Sequence, residues 1–337
     1  MKICRNSDKT EIPELPEISI PILEAASNGK LVVFIGAGVS RLLGYSSWQH
    51  LAERYVEYLF REGHLSYLEY EYLKKLDPRK LLSICKNFCE KNSIPSPSMS
   101  ELLQPKEIEE NIRDIYELIY SWNAIYVTTN FDDELDKVTK KPSKKEVTIE
   151  NYNSSSDPLS LENPDEKIIT DPEQILIAQL YTPGTVIHLH GSLDSKNILT
   201  ISDYLFHYQN EKIQSFLNHL FTRFTVLFIG YGLEEYELLE FLVYKSQIHT
   251  SDYSKSKEKE IKHYLLYPVF SWEKAMLEFH TLYYRELNIE LIPYEKDKKG
   301  YQQLYEIIKK WTLKIKNYTR PPRYLDKFKL IDEVESD

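Results

Sequence analysis

Four segments of this 337-residue chain share a profile that constrains its fold more than any other feature. LVVFIGAGVS at 31–40, IYVTTNFDDELD at 125–136, VIHLHGS at 186–192 and VLFIGYGLEEYELLEFL at 226–242 each open as an apolar, β-branched run. Each closes in small, polar or ionisable residues. A parallel strand buried on both faces reads as a continuous apolar run, and ligands bind outside the carboxyl ends of such strands. Strands are therefore expected at Leu31 to Ile35 and at about 124–128, 185–189 and 225–229, with two more at 263–267 and 289–292. Helical patterns separate them. The sum predicts an α/β fold with one doubly wound parallel sheet.

The intervening sequence sets the organisation. The first 20 residues are polar and proline-punctuated and read as an N-terminal arm. PILEAASNGK reads as a short helix with Pro21 near its start and Gly29 as its stop. In WQHLAERYVEYLF, Leu51, Tyr55, Tyr58 and Leu59 fall at helical spacing. Helical periodicity continues towards residue 120, broken at Asp77-Pro78 and at the Pro/Ser cluster 94–100, which places a helical insertion at 62–120. A long polar passage spans 140–180, and connections of that length tend to be functional or mobile. QQLYEIIKKWTLKIK (302–316) closes a domain running from 21 to 318, and 319–337 form a C-terminal tail.

Composition excludes several classes. With 42% hydrophobic and 28% charged residues, the chain reads as soluble and globular. Its formal charge is −10, from 42 basic and 52 acidic residues, with no long basic run, so direct nucleic-acid binding is not expected. Cys4, Cys85 and Cys89 are too few for a disulfide framework or a four-thiolate zinc site, and no metal site is expected. Neither a signal peptide nor an apolar stretch of about 18 residues is present, which points to the cytoplasm and away from membranes.

The strand ends carry the chemistry. Gly36-Ala37-Gly38-Val39-Ser40, with Gly44 beyond, lies between strand and helix, where small residues admit a pyrophosphate and the helix start supplies amide donors. Arg41 stands where a dehydrogenase-type G-x-G-x-x-G would have its third glycine, so a purely structural turn stays open. Thr128, Thr129, Asn130 and Asp132 could simply cap the next helix. Alternatively, Asn130 holds a ribose hydroxyl or a water, since an amide both donates and accepts, with Asp132 orienting the cluster. His188 and His190 would share one side of a strand. His190 stands before Gly191-Ser192 at the expected crevice and suits general-base work, whereas His188 lies deeper and reads as a core histidine. Gly230, Tyr231 and Gly232 form a second turn that either meets ribose or base, or only packs helix on strand. Glu234 and Glu235, in the first turn of the helix that follows, would disfavour phosphate there.

The ordered set GAGVS, TTNFD, HLHG and GYGL resembles the sirtuin superfamily, over nearly the whole chain apart from the insertion and both ends. The resemblance implies a Rossmann-type sheet binding NAD+, with Asn130 and His190 at the essential asparagine and histidine positions. Gly36, Ala37, Gly38 and Ser40 match the phosphate loop. Thr129, Gly191, Gly230, Tyr231 and Gly232 complete the expected NAD+ contacts. The departures narrow it further. Tyr45-Ser46-Ser47-Trp48 replaces the Pro-Asp-Phe-Arg element of the protein-deacylating branch, Thr129 replaces its glutamine, and the helical insertion stands in place of its four-cysteine zinc module. Trp48-x-x-Leu51, HLHGSL, Asp203-Tyr204 and FIGYGL look like the prokaryotic sirtuin-like branch that consumes NAD+ in anti-phage defence, although Ser46 and Glu235 stand where that branch usually has Pro and Asp.

The resemblance thus implies an NAD+ hydrolase releasing nicotinamide and ADP-ribose, with Asn130, His190 and Asp132 as catalytic residues and no zinc. Two other functions are kept in view: an NAD-dependent deacylase or ADP-ribosyltransferase, and a non-catalytic NAD+ or ADP-ribose sensor. An unrestrained hydrolase would kill its host. Gating by self-assembly into a homo-oligomer, or by a regulatory partner such as a defence ATPase or sensor, is therefore expected.

Overall fold

The computed structural model describes residues 12–105, 112–141, 167–233, 235–251 and 262–319, with side chains at 244–251 outside that description. Most of the expected arm, the centre of the polar passage, Glu234 and nearly all of the tail fall outside the described residues.

Seven parallel strands form one sheet: β1 (Leu31–Ile35), β2 (Ile125–Thr128), β3 (Ile168–Ile169), β4 (Val186–His188), β5 (Thr225–Ile229), β6 (His263–Val269) and β7 (Ile289–Glu295). Their order is β3-β4-β2-β1-β5-β6-β7. The chain builds outward from β1 in one direction, returns, and builds outward in the other. That reversal makes the carboxyl ends of β1 and β5 a topological switch point. The doubly wound Rossmann-like fold expected from the sequence is thus the fold observed. Six strands lie where the apolar runs place them, although β6 and β7 run longer. β3 was not expected. Two residues at the edge of a polar passage carry no alternation to detect.

The sheet is covered on both faces. Val32 and Phe34 of β1 join one core and Leu31, Val33 and Ile35 the other, the period-two alternation of a strand with helices on each side. The second core recruits α1 (Ile20–Ser27), α7 (Ile115–Tyr120), α8 (Glu134–Thr139) and the last helix α13 (Gln303–Lys316). The first recruits α9 (Ile201–Gln209), α10 (Glu211–Arg223), α11 (Tyr236–Ser251) and α12 (Lys274–Glu286). Gly29 has φ +62° just past α1, the left-handed stop its position suggested. Residues 12–18 lie against the domain, where Trp311 Nε1 donates to the Pro16 carbonyl at 2.9 Å.

Between the short α2 (Ala37–Leu42) and α7 lies a third apolar cluster, formed by α3 (Trp48–Arg61), α5 (Pro78–Asn92) and α6 (Met99–Leu103), with α4 (Tyr67–Leu73) beside it. Cys85 and Cys89 are buried there as small hydrophobes. The break at Asp77-Pro78 is the start of α5: the Asp77 carboxylate accepts from the amides of Arg79 and Lys80, and Pro78 needs no partner at N1. No helix among the described residues is long and apolar enough to cross a membrane.

Candidate active site

The two glycine turns meet at the switch point. The Gly36 amide donates to the Ile229 carbonyl at 3.0 Å and the Gly38 amide to the Gly230 carbonyl at 2.7 Å. A Cβ on Gly36 would lie 2.6 Å from the Gly230 oxygen, one on Gly38 would lie 2.7 Å from it, and one on Gly230 would lie 2.6 Å from the Val39 nitrogen. The glycines therefore let one turn seat on the other, a tighter demand than approach to a ligand. Tyr231 is likewise interior, its ring 4.9 Å from Phe34 and 5.8 Å from Phe228, centre to centre. Ala37 and Gly232 stay exposed on either side of this junction. Gly191, at φ +88°, closes the turn after β4, where a Cβ would meet the Lys196 carbonyl.

Beyond β2 the chain is held to β1. Thr128 Oγ1 donates to the Ile35 carbonyl at 3.0 Å and accepts from the Asn130 amide at 3.0 Å. Thr129, half-buried, reaches the same carbonyl through its own amide at 3.4 Å. The Asn130 side chain, 7% exposed, donates from Nδ2 to Ser40 Oγ at 2.7 Å and to the Gly36 carbonyl at 3.1 Å. Ser40 in turn donates to Asp132 Oδ2 at 2.6 Å. Phosphate loop and Asn-Asp turn are thus one network, in which the Ser40 hydroxyl proton goes to Asp132. Asn130 Oδ1 is buried without a partner among the described residues. A buried amide oxygen left unpaired costs about 1–3 kcal/mol, which points to a donor supplied by a ligand or water. Burial pushes the Asp132 carboxyl up to about 6, against the lowering pull of Ser40 and the Glu134 amide.

The two histidines separate. β4 ends at His188 and the chain turns at residues 189–190, which breaks the alternation expected to keep both on one side. His188, fully buried, meets Asp136 Oδ1 of α8 through Nε2 at 2.8 Å and the Asn130 carbonyl through Nδ1 at 3.2 Å. Both partners are acceptors, so both ring nitrogens donate. Although burial opposes it, Asp136 holds the His188 pKa above the usual histidine value. His188 is a charged strut beneath Asn130. His190, 1% exposed, goes to the opposite layer, with Nε2 3.0 Å from the Tyr208 hydroxyl of α9. Burial and then the charge of Arg79 push its pKa down to about 3, so it is neutral. Thr128 pairs with His188 across β2 and β4, so Asn130 and His190 stand two residues past matched positions on neighbouring strands.

Several residues around this pair were not assigned to the site from the sequence, although Tyr204 and Glu235 were noted there. Tyr116 of α7 places its hydroxyl 2.9 Å from Ser40 Oγ. Tyr204 and Tyr208 of α9 flank the His190 ring at 5.0 and 6.0 Å. Glu235 precedes α11 rather than occupying its first turn, and its carboxylate accepts from Tyr208 at 3.0 Å. Arg79, from α5, makes two bonds to Glu237 at 2.9 and 3.1 Å and covers the Tyr204 ring at 4.1 Å. A helical spacing of aromatic residues in α9 looks the same in sequence whether it faces a core or a histidine. Among the described residues, no group of three or more His, Cys, Asp or Glu is arranged to hold a metal ion.

Fold and site together define a Rossmann-like nucleotide-binding domain with its polar cluster at the switch point. A model of the SIR2-like domain matches residues 124–292, half of the chain, and the chain belongs to that family of NAD+-using proteins. It is also similar to Defense-associated sirtuin 2 of Bacillus subtilis, with 25% identity over 249 residues, covering 69% of this chain and 21% of that protein. The chain thus spans about a fifth of the length of that relative.

Proposed function

We propose that this chain hydrolyses NAD+ to nicotinamide and ADP-ribose and acts in antiviral defence by depleting NAD+. The observation that carries this reading is the pairing of Asn130 and His190 past neighbouring strands. Asn130 Oδ1 is buried and has no partner among the described residues. His190 Nδ1 has no protein partner among the described residues. Those two acceptors suit a ribose hydroxyl and an attacking water. The similarity to a defence-associated sirtuin supports the biological setting.

The nicotinamide leaving group is already cationic, so departure needs no acid. As the bond from the ribose anomeric carbon to the ring nitrogen breaks, its electron pair neutralises the pyridinium. Water adds to the oxocarbenium-like carbon and gives one proton to His190, which later releases it to solvent. Asn130 positions the water and the ribose hydroxyls, and Asp132, through Ser40, fixes the Asn130 amide. A positioned general base contributes on the order of 10²–10⁴-fold. Tyr204 and Tyr208 pack against the His190 ring and Arg79 lies over Tyr204, a covering that supports gating by self-assembly or by a regulatory protein.

Purified protein incubated with NAD+ should release nicotinamide, and Asn130→Ala and His190→Ala should each reduce that release at least about 100-fold. Release unchanged in both variants sinks the assignment. Release strictly dependent on an acylated or acceptor peptide would indicate a protein-modifying enzyme, and tight binding without turnover a sensor.

A further inference from the structure

Glu235 has no part in the chemistry above, yet among the described residues this part-buried carboxylate is the one nearest the base, with Oε2 3.6 Å from His190 Nε2. The direct separation is too long for a hydrogen bond, and Tyr208 fills it. The Tyr208 hydroxyl has one proton, and it goes to Glu235 at 3.0 Å. Its oxygen must then accept at its other contact, also 3.0 Å, so the proton on that side belongs to His190 Nε2.

From this geometry we infer that Glu235 is a positioning residue, acting through Tyr208 to hold His190 in the Nε2–H tautomer with the Nδ1 lone pair directed to the reacting proton. The inference rests on the hydrolase reading for its role in turnover, but the tautomer itself does not depend on that reading. The logic is that of an acid–base histidine oriented by a carboxylate, here with a phenol interposed. When Nδ1 takes a proton, the positive imidazolium is joined to Glu235 through two hydrogen bonds and no proton need leave Tyr208. Without the carboxylate, the hydroxyl is free to turn its proton towards Nε2, which moves the histidine proton to Nδ1 and blocks the base.

The groups facing Glu235 fit that role. Tyr204 and Tyr208 approach from α9, Tyr231 from the glycine turn, Arg79 from α5, Glu237 from α11 and His190 from the end of β4. Burial raises the Glu235 carboxyl to about 7, against Tyr231, Tyr208 and Arg79, which favour the charged form. The carboxylate form is the working one, so turnover should climb with pH through that range.

The test combines kinetics with the tautomer. In the full chain, Glu235→Gln and Tyr208→Phe should each lower kcat roughly 10- to 100-fold, part of the 10²–10⁴ a general base contributes, with KM changed less than about twofold. The double variant should be little worse than either single one, and Glu235→Asp should recover most of the loss. The acid limb of the kcat profile near pH 7 should disappear in Glu235→Gln. Two-bond proton–nitrogen spectra, with the His190 signal identified by its loss in His190→Asn, should show a protonated Nε2 in the wild type and a shift towards protonated Nδ1 in Glu235→Gln. An unchanged His190 spectrum in a folded Glu235→Gln overturns the inference, as does a wild-type histidine protonated on Nδ1. If no NAD+ is consumed under any condition, the hydrolase reading falls, and the spectra still decide the relay.

Discussion

His188 and His190 are equally buried and two residues apart, yet the site keeps one charged and the other neutral. Desolvation disfavours both cations, so neighbours decide. His188 has a carboxylate and a carbonyl as partners, and His190 has a hydroxyl and lies under the field of Arg79. The same balance governs Asp132, whose carboxyl burial raises to about 6. A carboxyl raised on folding favours the native state fully below its unfolded value, near 4, and that contribution is lost as pH rises through about 6. Asp132→Asn keeps an oxygen for the Ser40 hydroxyl and removes the buried charge. We expect it to melt higher than the wild type at pH 8 and to lose most of that advantage at pH 4, while nicotinamide release falls about tenfold or more. Melting curves at the two pH values check the first part. An equal shift at both would mean that Asp132 ionises as freely folded as unfolded.

At the scale of elements, the glycine turns behave as one joint. Gly230→Ala places a methyl 2.6 Å from the Val39 nitrogen at a backbone φ of +61°, so both sterics and conformation resist it. Destabilisation of about 1–3 kcal/mol is expected, measured by chemical denaturation, with the loss of the Gly38-to-Gly230 hydrogen bond loosening the phosphate loop. An alanine variant as stable as the wild type would show that the turns part readily. This joint also marks the limit of what the sequence makes legible. Strands announce themselves because burial on both faces demands unbroken apolar runs, as in Leu31–Ile35, whereas Asp77-Pro78 reads in sequence only as a break and proves to be the start of α5. The spacing of the glycines signals close approach but not what approaches, which here is another turn. Asn130 stands out because a polar amide ends an apolar strand. Tyr116, Tyr208 and Arg79 do not, because their meeting depends on how α7, α9 and α5 are laid over the sheet ends. The side assigned to His190 was lost for a related reason, since alternation holds only while the strand lasts and β4 stops at His188.

At the scale of the whole molecule, the sheet consists of two wings that join at β1 and β5, and the proposed substrate site lies across that seam. On one wing stand Asn130 and His190, at the ends of β2 and β4; the second glycine turn and Glu235 follow β5 on the other. A ligand that touches both wings binds the folded chain and not the unfolded one, so it must stabilise the molecule by mass action. At a concentration about 100 times its dissociation constant the gain is about 2.7 kcal/mol, enough to raise the melting temperature by roughly 4 °C in a chain of this size. His190→Ala, made inactive by the proposal, is the right protein for the measurement because the NAD+ is not consumed as it melts. The expected result is a dose-dependent rise with NAD+ and a smaller one with ADP-ribose, which lacks the nicotinamide side. A rise with ADP-ribose equal to that with NAD+ would mean that the nicotinamide end makes no contact, and the cleavage assignment to Asn130 and His190 would lose its footing. No rise with either ligand would remove the seam as the binding site altogether.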